Sequence, residues 1–267
     1  MLLVIDAART ALTLFFLLYA SWSDYKTREV SNKVWIIYAP VAFALTLISI
    51  YLRDFTQLPA YGLSFGLTAT FAILLFYTGG FGGADAKALM CLALALPFQP
   101  EHFKPITGTS PISQMFFSLT IFNNSVLLAA ATAAYMFLRN VTWQKKISGK
   151  LFGEGFEKES FGRKLVVLLT GYKVSIERLK EKWHLYPLED VEVDSENHLK
   201  RKVLTLPKEE GRNEIVDRLA KAIKTGRIKD KVWATPGLPM LIFITAGFIL
   251  ALLFGDIVWI WVQFLLK

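Results

Sequence analysis

Two aspartates stand apart from the other acidic residues because each lies in a polar motif at the border of an apolar segment. Asp24 closes the first apolar segment within residues 21–32, SWSDYKTREVSN, and Asp85 opens a later one within residues 79–87, GGFGGADAK. Two carboxylates that meet in space can share one proton, so that the ionised group activates a water while the protonated group donates to a carbonyl oxygen. The alternative for each aspartate is structural, since such residues often cap the free N–H groups at a helix end.

The second motif is rich in glycine. Gly79, Gly80, Gly82 and Gly83 flank Phe81. Because glycine permits positive φ and close approach of another backbone, an extended peptide laid beside this loop could pair with it, as in strand addition. A flexible turn between two helices is the alternative interpretation.

The composition indicates the environment in which these motifs lie. Of the 267 residues, 54% are hydrophobic and 14% aromatic, 19% are charged, and the mean hydropathy is +0.41. Soluble domains are usually about 25% charged, so the composition excludes intrinsic disorder and disfavours a wholly soluble globule. One cysteine and three histidines leave few ligands for a zinc or iron–sulfur site and exclude an intramolecular disulfide. We therefore expect neither a metal nor a cofactor.

Six apolar segments are candidates for membrane helices, since a bilayer core needs about 20 apolar residues per helix. They are Leu2–Trp22, Val34–Leu52, Tyr61–Tyr77, Ala86–Phe98, Pro111–Leu138 and Leu238–Leu266. Ala86–Phe98 is short for a full span, and its length fits a helix that is partly submerged or buried among the others. The sequence thus predicts an all-α membrane bundle of about six transmembrane helices.

The distribution of Lys and Arg in the connecting loops predicts the orientation of the bundle. The loops after the first, third and fifth segments are the more basic ones, and basic loops face the cytoplasm. The chain crosses the membrane twice between Asp24 and Asp85, so both carboxylates are predicted at the same, cytoplasmic face. Asp54 and Glu101 are predicted at the opposite face, and Asp256 lies within the last segment.

A charged block interrupts the apolar segments. Residues 139–231 contain 22 of the 30 Lys and Arg and 15 of the 22 Asp and Glu. Within this block we interpret Leu165–Leu169 and Lys202–Leu206 as strands, and Glu214–Lys224 as an amphipathic helix that Gly226 ends. These elements predict a small cytoplasmic α+β insertion domain.

The insertion gives the chain three predicted parts, which are residues 1–138, 139–232 and 233–267. The positive charge of the middle part could hold it against anionic lipid or an acidic partner. An ordinary solvated charged surface is the alternative. The block contains no Gly-rich phosphate loop, no zinc spacing and no nucleic-acid motif.

On these motifs the chain resembles the prepilin peptidases, a family of membrane aspartic proteases. Residues 24–32, DYKTREVSN, resemble the first-aspartate motif, and residues 82–87, GGADAK, resemble the second, Gly-x-Gly-Asp-x-Lys. The six-span plan and the soluble insertion are most similar to the archaeal branch, the preflagellin (archaellin) peptidases. Ala84 departs from the motif glycine, and Ser31 stands where bacterial members commonly have Pro. The single Cys91 excludes the four-cysteine zinc module of bacterial members.

The resemblance implies an archaeal, multi-pass membrane aspartic endopeptidase with Asp24 and Asp85 as its catalytic pair and no metal. It would remove the short basic leader of preflagellins or other prepilin-like proteins on the cytoplasmic side, at the border between leader and apolar helix. Its partners would be these substrates and membrane lipid, not nucleic acid. The supporting motif residues that the resemblance implies are Lys26, Arg28, Asn32, Gly82, Gly83 and Lys87.

The helix positions of the two aspartates predict their roles. Asp85 lies at a helix N-terminus, where the helix dipole favours negative charge, and Asp24 lies at a C-terminus, where the dipole opposes it. This favours Asp85 as the base and Asp24 as the acid. Lys26 and Arg28 oppose the assignment, because positive charges favour an ionised Asp24.

Two other functions remain open on the sequence. An intramembrane protease related to presenilins would share the paired aspartates but cut within the apolar helix of its substrate. A six-helix transporter or assembly scaffold would need no catalysis. Transport sites usually lie near the bilayer midplane, and Asp256 is the one acidic residue predicted there.

Overall fold

The computed structural model describes residues 1–144, 151–152, 155–156, 159–193, 199–204, 211–237 and 239–266. The chain divides into two compact units, one formed by residues 1–129 with 239–267 and the other by residues 130–238. The first unit contains both aspartate motifs. The second contains the strands.

Helices dominate the described residues. The α-helices are α1 Leu2–Thr27, α2 Asn32–Arg53, α3 Leu58–Tyr77, α4 Gly83–Ala95, α5 Pro111–Met115, α6 Phe117–Arg139, α7 Phe161–Thr170, α8 Ile176–Glu181, α9 Arg212–Lys224, α10 Met240–Leu253 and α11 Ile257–Leu265. A 3-10 turn, Phe55–Gln57, precedes α3, and a π-helical turn, Asn140–Gln144, follows α6.

Four helices of the described chain are long and apolar enough to cross a membrane. They are α1, α2, α3 with its preceding 3-10 turn, and α6 with the first residues after it. The number becomes five if α10 and α11, which are bent by 63°, form one broken span. The structure therefore agrees with a mostly helical protein with several candidate spans, but the predicted number of six is not confirmed.

The short helix α4 lies at the centre of the first unit. Its 13 residues extend only about 20 Å at 1.5 Å per residue, and it is not among the candidate spans. It packs against α1, α2, α3 and α10, and Ala88, Leu89 and Leu92 are completely buried. Of the two alternatives for Ala86–Phe98, a partly submerged helix and one buried among the others, the packing of α4 supports the second.

Two predicted spans are broken in the structure. The segment Pro111–Leu138 forms α5 and α6, which are separated by Phe116 with φ −140°. The segment Leu238–Leu266 forms α10 and α11, because Gly255 takes φ +88° and the Asp256 side chain then accepts from the Trp259 N–H at 3.0 Å. Since positive φ is incompatible with a continuing right-handed helix, these residues end one helix and begin the next.

The second unit combines two small antiparallel sheets with helices. One sheet has the strand order β1 (Tyr172–Ser175), β5 (Lys231–Pro236), β2 (Leu185–Pro187), and the other pairs β3 (Glu189–Val193) with β4 (Leu199–Val203). Helix α9 packs against β3, β2 and α8 through a face that includes the buried Val216 and Leu219. An α+β content in this part of the chain was predicted.

Individual elements of this unit correct or confirm the sequence interpretation. The strand predicted at Leu165–Leu169 is wrong, because these residues lie in α7, whose first turn is capped by the Ser160 hydroxyl. A five-residue apolar run cannot distinguish a strand from a buried helix segment. Of the predicted strand Lys202–Leu206, residues 202–203 belong to β4, and residues 205–206 lie outside the described chain. The helix predicted at Glu214–Lys224 is confirmed by α9.

Candidate active site

Asp24 lies in the last turn of α1. The helix ends because Arg28 adopts a left-handed conformation, with φ 57°, and donates its N–H to the Asp24 carbonyl at 2.9 Å. The Asp24 side chain is half-buried. Its Oδ2 is shielded from solvent and has no hydrogen-bond partner among the described residues. Since a buried carboxylate oxygen without a partner is costly, this atom is suited to bind a water or a substrate group.

Two hydroxyl groups fix the connection between α1 and α2. The Ser23 hydroxyl donates to the Glu29 carbonyl at 2.8 Å, and the Thr27 hydroxyl donates to the same carbonyl at 3.0 Å. The connection therefore folds back on the end of α1. Ser31 then caps α2, whose first helical residue is Asn32.

Asp85 lies in the first turn of α4, after the glycine loop. Its Oδ2 accepts the Gly82 N–H at 3.0 Å, so the structural alternative of a capping aspartate is realised. The cap also restricts the loop, because a Cβ atom on Gly82 would lie only 3.1 Å from that same oxygen. Upstream, Gly79 has φ 77°, and the N–H groups of Gly80 and Phe81 both donate to the Leu75 carbonyl.

The structure places the two carboxylates near enough for the charge of one to act on the other. Burial, and then the negative charge of Asp24, raise the pKa of Asp85 to about 7, against the opposing effect of the hydrogen bond from Gly82. Burial outweighs the helix N-terminus, on which the prediction of an ionised Asp85 depended. A pKa of about 7 favours a protonated Asp85 more than the helix dipole alone predicts, and the assignment of acid and base to the two aspartates stays a prediction.

The supporting residues of the two motifs differ in what they contact. Lys26 lies over the Trp22 ring, with Nζ 4.8 Å from its centroid. Arg28 lies directly after α1, and its N–H donates to the Asp24 carbonyl at 2.9 Å. A Cβ on Gly83 would make only an ordinary contact with Phe76 at 3.6 Å, so the geometry requires glycine at 82 more than at 83.

A direct hydrogen bond joins the two motifs. The Lys87 ammonium donates to Oδ1 of Asn32 at 2.6 Å, although the two residues are 55 positions apart in sequence. Lys87 belongs to α4 and Asn32 begins α2. The motif comparison indicates these two residues separately, but no sequence signal indicates that they are bonded to each other.

The opposite end of α1 carries a second group of charges, which we call the salt-bridge cluster and define as Asp6, Arg9, Arg53 and Glu101. Asp6 pairs with Arg9 at 2.9 Å and with Arg53 at 2.5 Å, and Arg53 also pairs with Glu101. Arg9 in addition donates twice to the Ala95 carbonyl at the end of α4. Asp6 lies about 27 Å along α1 from Asp24, at 1.5 Å per residue, so this cluster is separate from the paired aspartates.

The remaining acidic residues of interest have structural positions. Asp54 caps the 3-10 turn by accepting the Thr56 N–H at 2.9 Å. The sequence predicted Asp256 within the last span. In the structure Asp256 lies at the bend between α10 and α11, where it caps α11 and accepts the Ser110 hydroxyl at 3.0 Å. In the part of the chain that the structure describes, no three His, Cys, Asp or Glu side chains are grouped to hold a metal ion.

Comparison with known proteins gives matches over most of the chain. Residues 11–134 match the type IV leader peptidase family, and residues 163–257 match the archaeal peptidase A24 C-terminus, type II. The chain is 28% identical to a preflagellin peptidase of Methanococcus voltae, covering 92% of this chain and 94% of that protein. It is 22% identical to a preflagellin peptidase of Methanococcus maripaludis, covering 90% and 92%. An uncharacterised protein of Methanocaldococcus jannaschii is 23% identical, covering 87% of each.

Proposed function

We propose a function from one premise: this chain belongs to the type IV leader peptidase family, a family of proteases. The proposal is that it is a membrane aspartic endopeptidase acting on preflagellins or related prepilin-like proteins. It would remove their short basic leader at the cytoplasmic boundary of the membrane, where the leader meets the apolar helix. The relatives named preflagellin peptidase, which match almost end to end, support this substrate class.

One observation carries the chemical part of the proposal. Asp24 and Asp85, from two motifs 61 positions apart, lie close enough for the charge of one to raise the pKa of the other. Two neighbouring carboxylates that share one proton provide both the general acid and the general base for hydrolysis of a peptide bond. The unpartnered Oδ2 of Asp24 supports a place for the attacking water.

In the proposed reaction Asp24 is the base and Asp85 the acid. Burial raises the pKa of Asp85 to about 7, so a large share of its carboxyl groups carries a proton at neutral pH. In this form of the enzyme the ionised Asp24 takes a proton from water as the oxygen attacks the scissile carbonyl. Asp85 donates its proton to the carbonyl oxygen, and the pair then returns a proton to the leaving amine. No covalent intermediate forms, and the apparent pKa values of the reaction belong to the pair.

The glycine loop supports a way to present the substrate. Residues 79–82 precede Asp85 directly, and Gly79 and Gly82 are exposed. The N–H groups of residues 79–82 are bonded within the chain, so an extended peptide would donate to carbonyl oxygens of this loop. Such bonds would align the segment between the leader and the apolar helix beside the carboxylates. The Lys26 and Arg28 cations would not attract a basic leader. Glu29 is the acidic residue of the first motif that could.

The decisive experiment compares Asp24→Asn and Asp85→Asn with wild type and with Asp54→Asn as a matched control. Asp54 is also a capping aspartate at a helix boundary, and an asparagine can keep each cap. Membranes containing equal amounts of each variant are incubated with a preflagellin-like substrate, and the products are mapped by mass spectrometry. We expect cleavage between leader and apolar helix by wild type and Asp54→Asn, and none by the other two variants.

Each alternative outcome has a definite meaning. Full cleavage by Asp24→Asn or Asp85→Asn would overturn the aspartic pair. A cut mapped inside the apolar helix would favour the presenilin-like alternative. Absence of cleavage by wild type would contradict the proposed substrate class.

A further inference from the structure

We propose that Lys87 and Asn32 act as a positioning pair that fixes the separation of the Asp24 and Asp85 carboxylates. The inference rests on the proposed function, and it concerns the hydrogen bond that joins α4 to α2. The two residues are positioning residues, because their effect on the reaction passes through the backbone segments that carry the aspartates.

The hydrogen bond between Lys87 and Asn32 is short and has a charged donor. Lys87 Nζ lies 2.6 Å from Asn32 Oδ1, and a hydrogen bond from a charged donor is stronger and shorter than a neutral one. Lys87 is half-buried and Asn32 is exposed, so the bond lies at the solvent-facing edge of the two helices. The bond is therefore able to hold the first turn of α2 against the first turns of α4.

Hydrogen bonds and short backbone segments connect the Lys87–Asn32 bond to each aspartate. Asp85 lies two residues before Lys87 in the same helix, and its Oδ2 is bonded to the Gly82 N–H. On the other side, Asn32 follows the connection that the Ser23 and Thr27 hydroxyls hold against the end of α1. Every link between the two carboxylates is therefore a hydrogen bond or a short stretch of fixed backbone.

The Lys87 ammonium is directed at Asn32 rather than at the Asp85 carboxyl group. The causes that shift the pKa of Asp85 are burial, the Gly82 N–H and Asp24, and Lys87 is not among them. Residues two apart on a helix point to different faces, which explains why the neighbouring cation does not act on the carboxyl group. Lys87 influences the pair through its position instead.

The Lys87 ammonium lies near the N-terminal ends of two helices. Asn32 is the first residue of α2, and Lys87 is in the second turn of α4. The N-terminal ends of both helices carry partial positive charge, so helix electrostatics disfavour a lysine between them. The hydrogen bond to Asn32 explains the placement, whereas a general role as a flanking charge does not.

The experiment is a double-mutant cycle on the full-length enzyme. Cleavage of a preflagellin-like substrate is measured for Lys87→Met, Asn32→Ala and the double variant, with Lys33→Met as the matched control. Lys33 neighbours Asn32, is exposed and lies outside the proposed path. Since a displacement of about 1 Å can cost about 100-fold in rate, we expect each single variant to lose roughly 10- to 100-fold in kcat with KM within about twofold. The double variant should lose no more than the worse single variant.

A reciprocal exchange and a conservative variant separate positioning from simple loss of stability. The combination of Lys87→Asn with Asn32→Lys restores a donor and an acceptor with their helices exchanged, and Asn32→Asp keeps the acceptor. We expect both to recover most of kcat. Three outcomes would each overturn the proposal. The losses of the single variants could multiply in the double variant, or they could be confined to KM. The third outcome is that the exchanged enzyme and the Asn32→Asp enzyme melt like wild type yet stay inactive.

A second readout does not depend on cleavage. In a Cys91→Ala background, nitroxide labels are placed next to the aspartates at Tyr25→Cys and Ala84→Cys, which leaves the Asp85–Gly82 bond intact, and their dipolar broadening is measured with and without Lys87→Met. We expect the substitution to weaken the broadening as the labels separate. Unchanged broadening would overturn the positioning pair. If wild type fails to cleave while Lys87→Met still separates the labels, the proposed function fails and the positioning inference stands.

Discussion

The two ends of α1 carry carboxylates in opposite circumstances. Asp6 is buried but has two guanidinium partners, Arg9 and Arg53. Asp24 has no salt bridge among the described residues, and one of its oxygens is buried without a partner. A buried carboxylate that is paired with arginines has a structural role, because removing it would leave buried positive charges without a counter-charge. A carboxylate whose neighbour is another carboxylate is instead suited to exchange protons.

The comparison therefore separates the salt-bridge cluster from the aspartate pair of the proposed reaction, although both lie in the first unit. The largest expected effect of a substitution is at the aspartate pair. Replacing Asp85 by Asn should lower kcat by about 10²–10⁴-fold, the usual contribution of a general acid or base. Melting of the solubilised protein should change little, because the amide oxygen can still accept the Gly82 N–H. Initial rates and a melting curve on one preparation measure both, and a parallel loss of stability would return Asp85 to a purely structural role.

The reverse behaviour is expected at Asp6. Asp6→Asn leaves Arg9 and Arg53 without their shared counter-charge, so the free energy of unfolding should fall by about 3 kcal/mol, or several degrees of melting temperature. The kcat of the protein that remains folded should stay within about twofold of wild type. The exposed Asp54→Asn is the control for a carboxylate without a buried partner. An Asp6→Asn enzyme that melts normally but does not cleave would contradict the division between the two ends.

The pH dependence sharpens the same contrast. The pKa of Asp85 is raised to about 7, so the proposed acid is protonated below that pH and loses its proton as the pH rises through it. Cleavage should therefore fall about tenfold per pH unit above pH 7, as expected when one required proton is lost. A rate profile between pH 5 and 9 tests this. A rate that continues to rise to pH 8 would exclude Asp85 as the protonated partner.

The smallest effect is expected at Gly82. A methyl group there would lie 3.1 Å from Oδ2 of Asp85, so Gly82→Ala should displace the carboxylate by a few tenths of an ångström and lower kcat by a few-fold. Gly83→Ala is the matched control, since its Cβ would meet only Phe76 at an ordinary distance. Equal rates for the two variants would show that the first motif glycine has no steric role.

Much of this arrangement was predictable from the sequence. The apolar runs predicted α1, α2, α3 and the burial of α4, because length and hydropathy are local properties. The meeting of Asp24 with Asp85 followed from an even number of predicted crossings, and their proximity in the structure agrees with it.

What escaped prediction depends on non-local contacts or on the balance of opposing effects. The bond between Lys87 and Asn32 joins distant segments and has no local signature. The bend at Gly255 interrupts an apolar run that reads as continuous. The protonation of Asp85 depends on burial exceeding the effect of the helix N-terminus, and burial is a property of the packed structure.

The break between α10 and α11 has a consequence for the lipid around the protein. Helix α10 has 14 residues and α11 has 9, at an angle of 63°. With α10 along the membrane normal, the pair reaches only about 27 Å at 1.5 Å per residue, and the exposed Trp261 and Phe264 suit the headgroup level. We expect a preference for a slightly thin hydrocarbon layer. Activity in bilayers of graded acyl-chain length would reveal it as an optimum at the shorter chains.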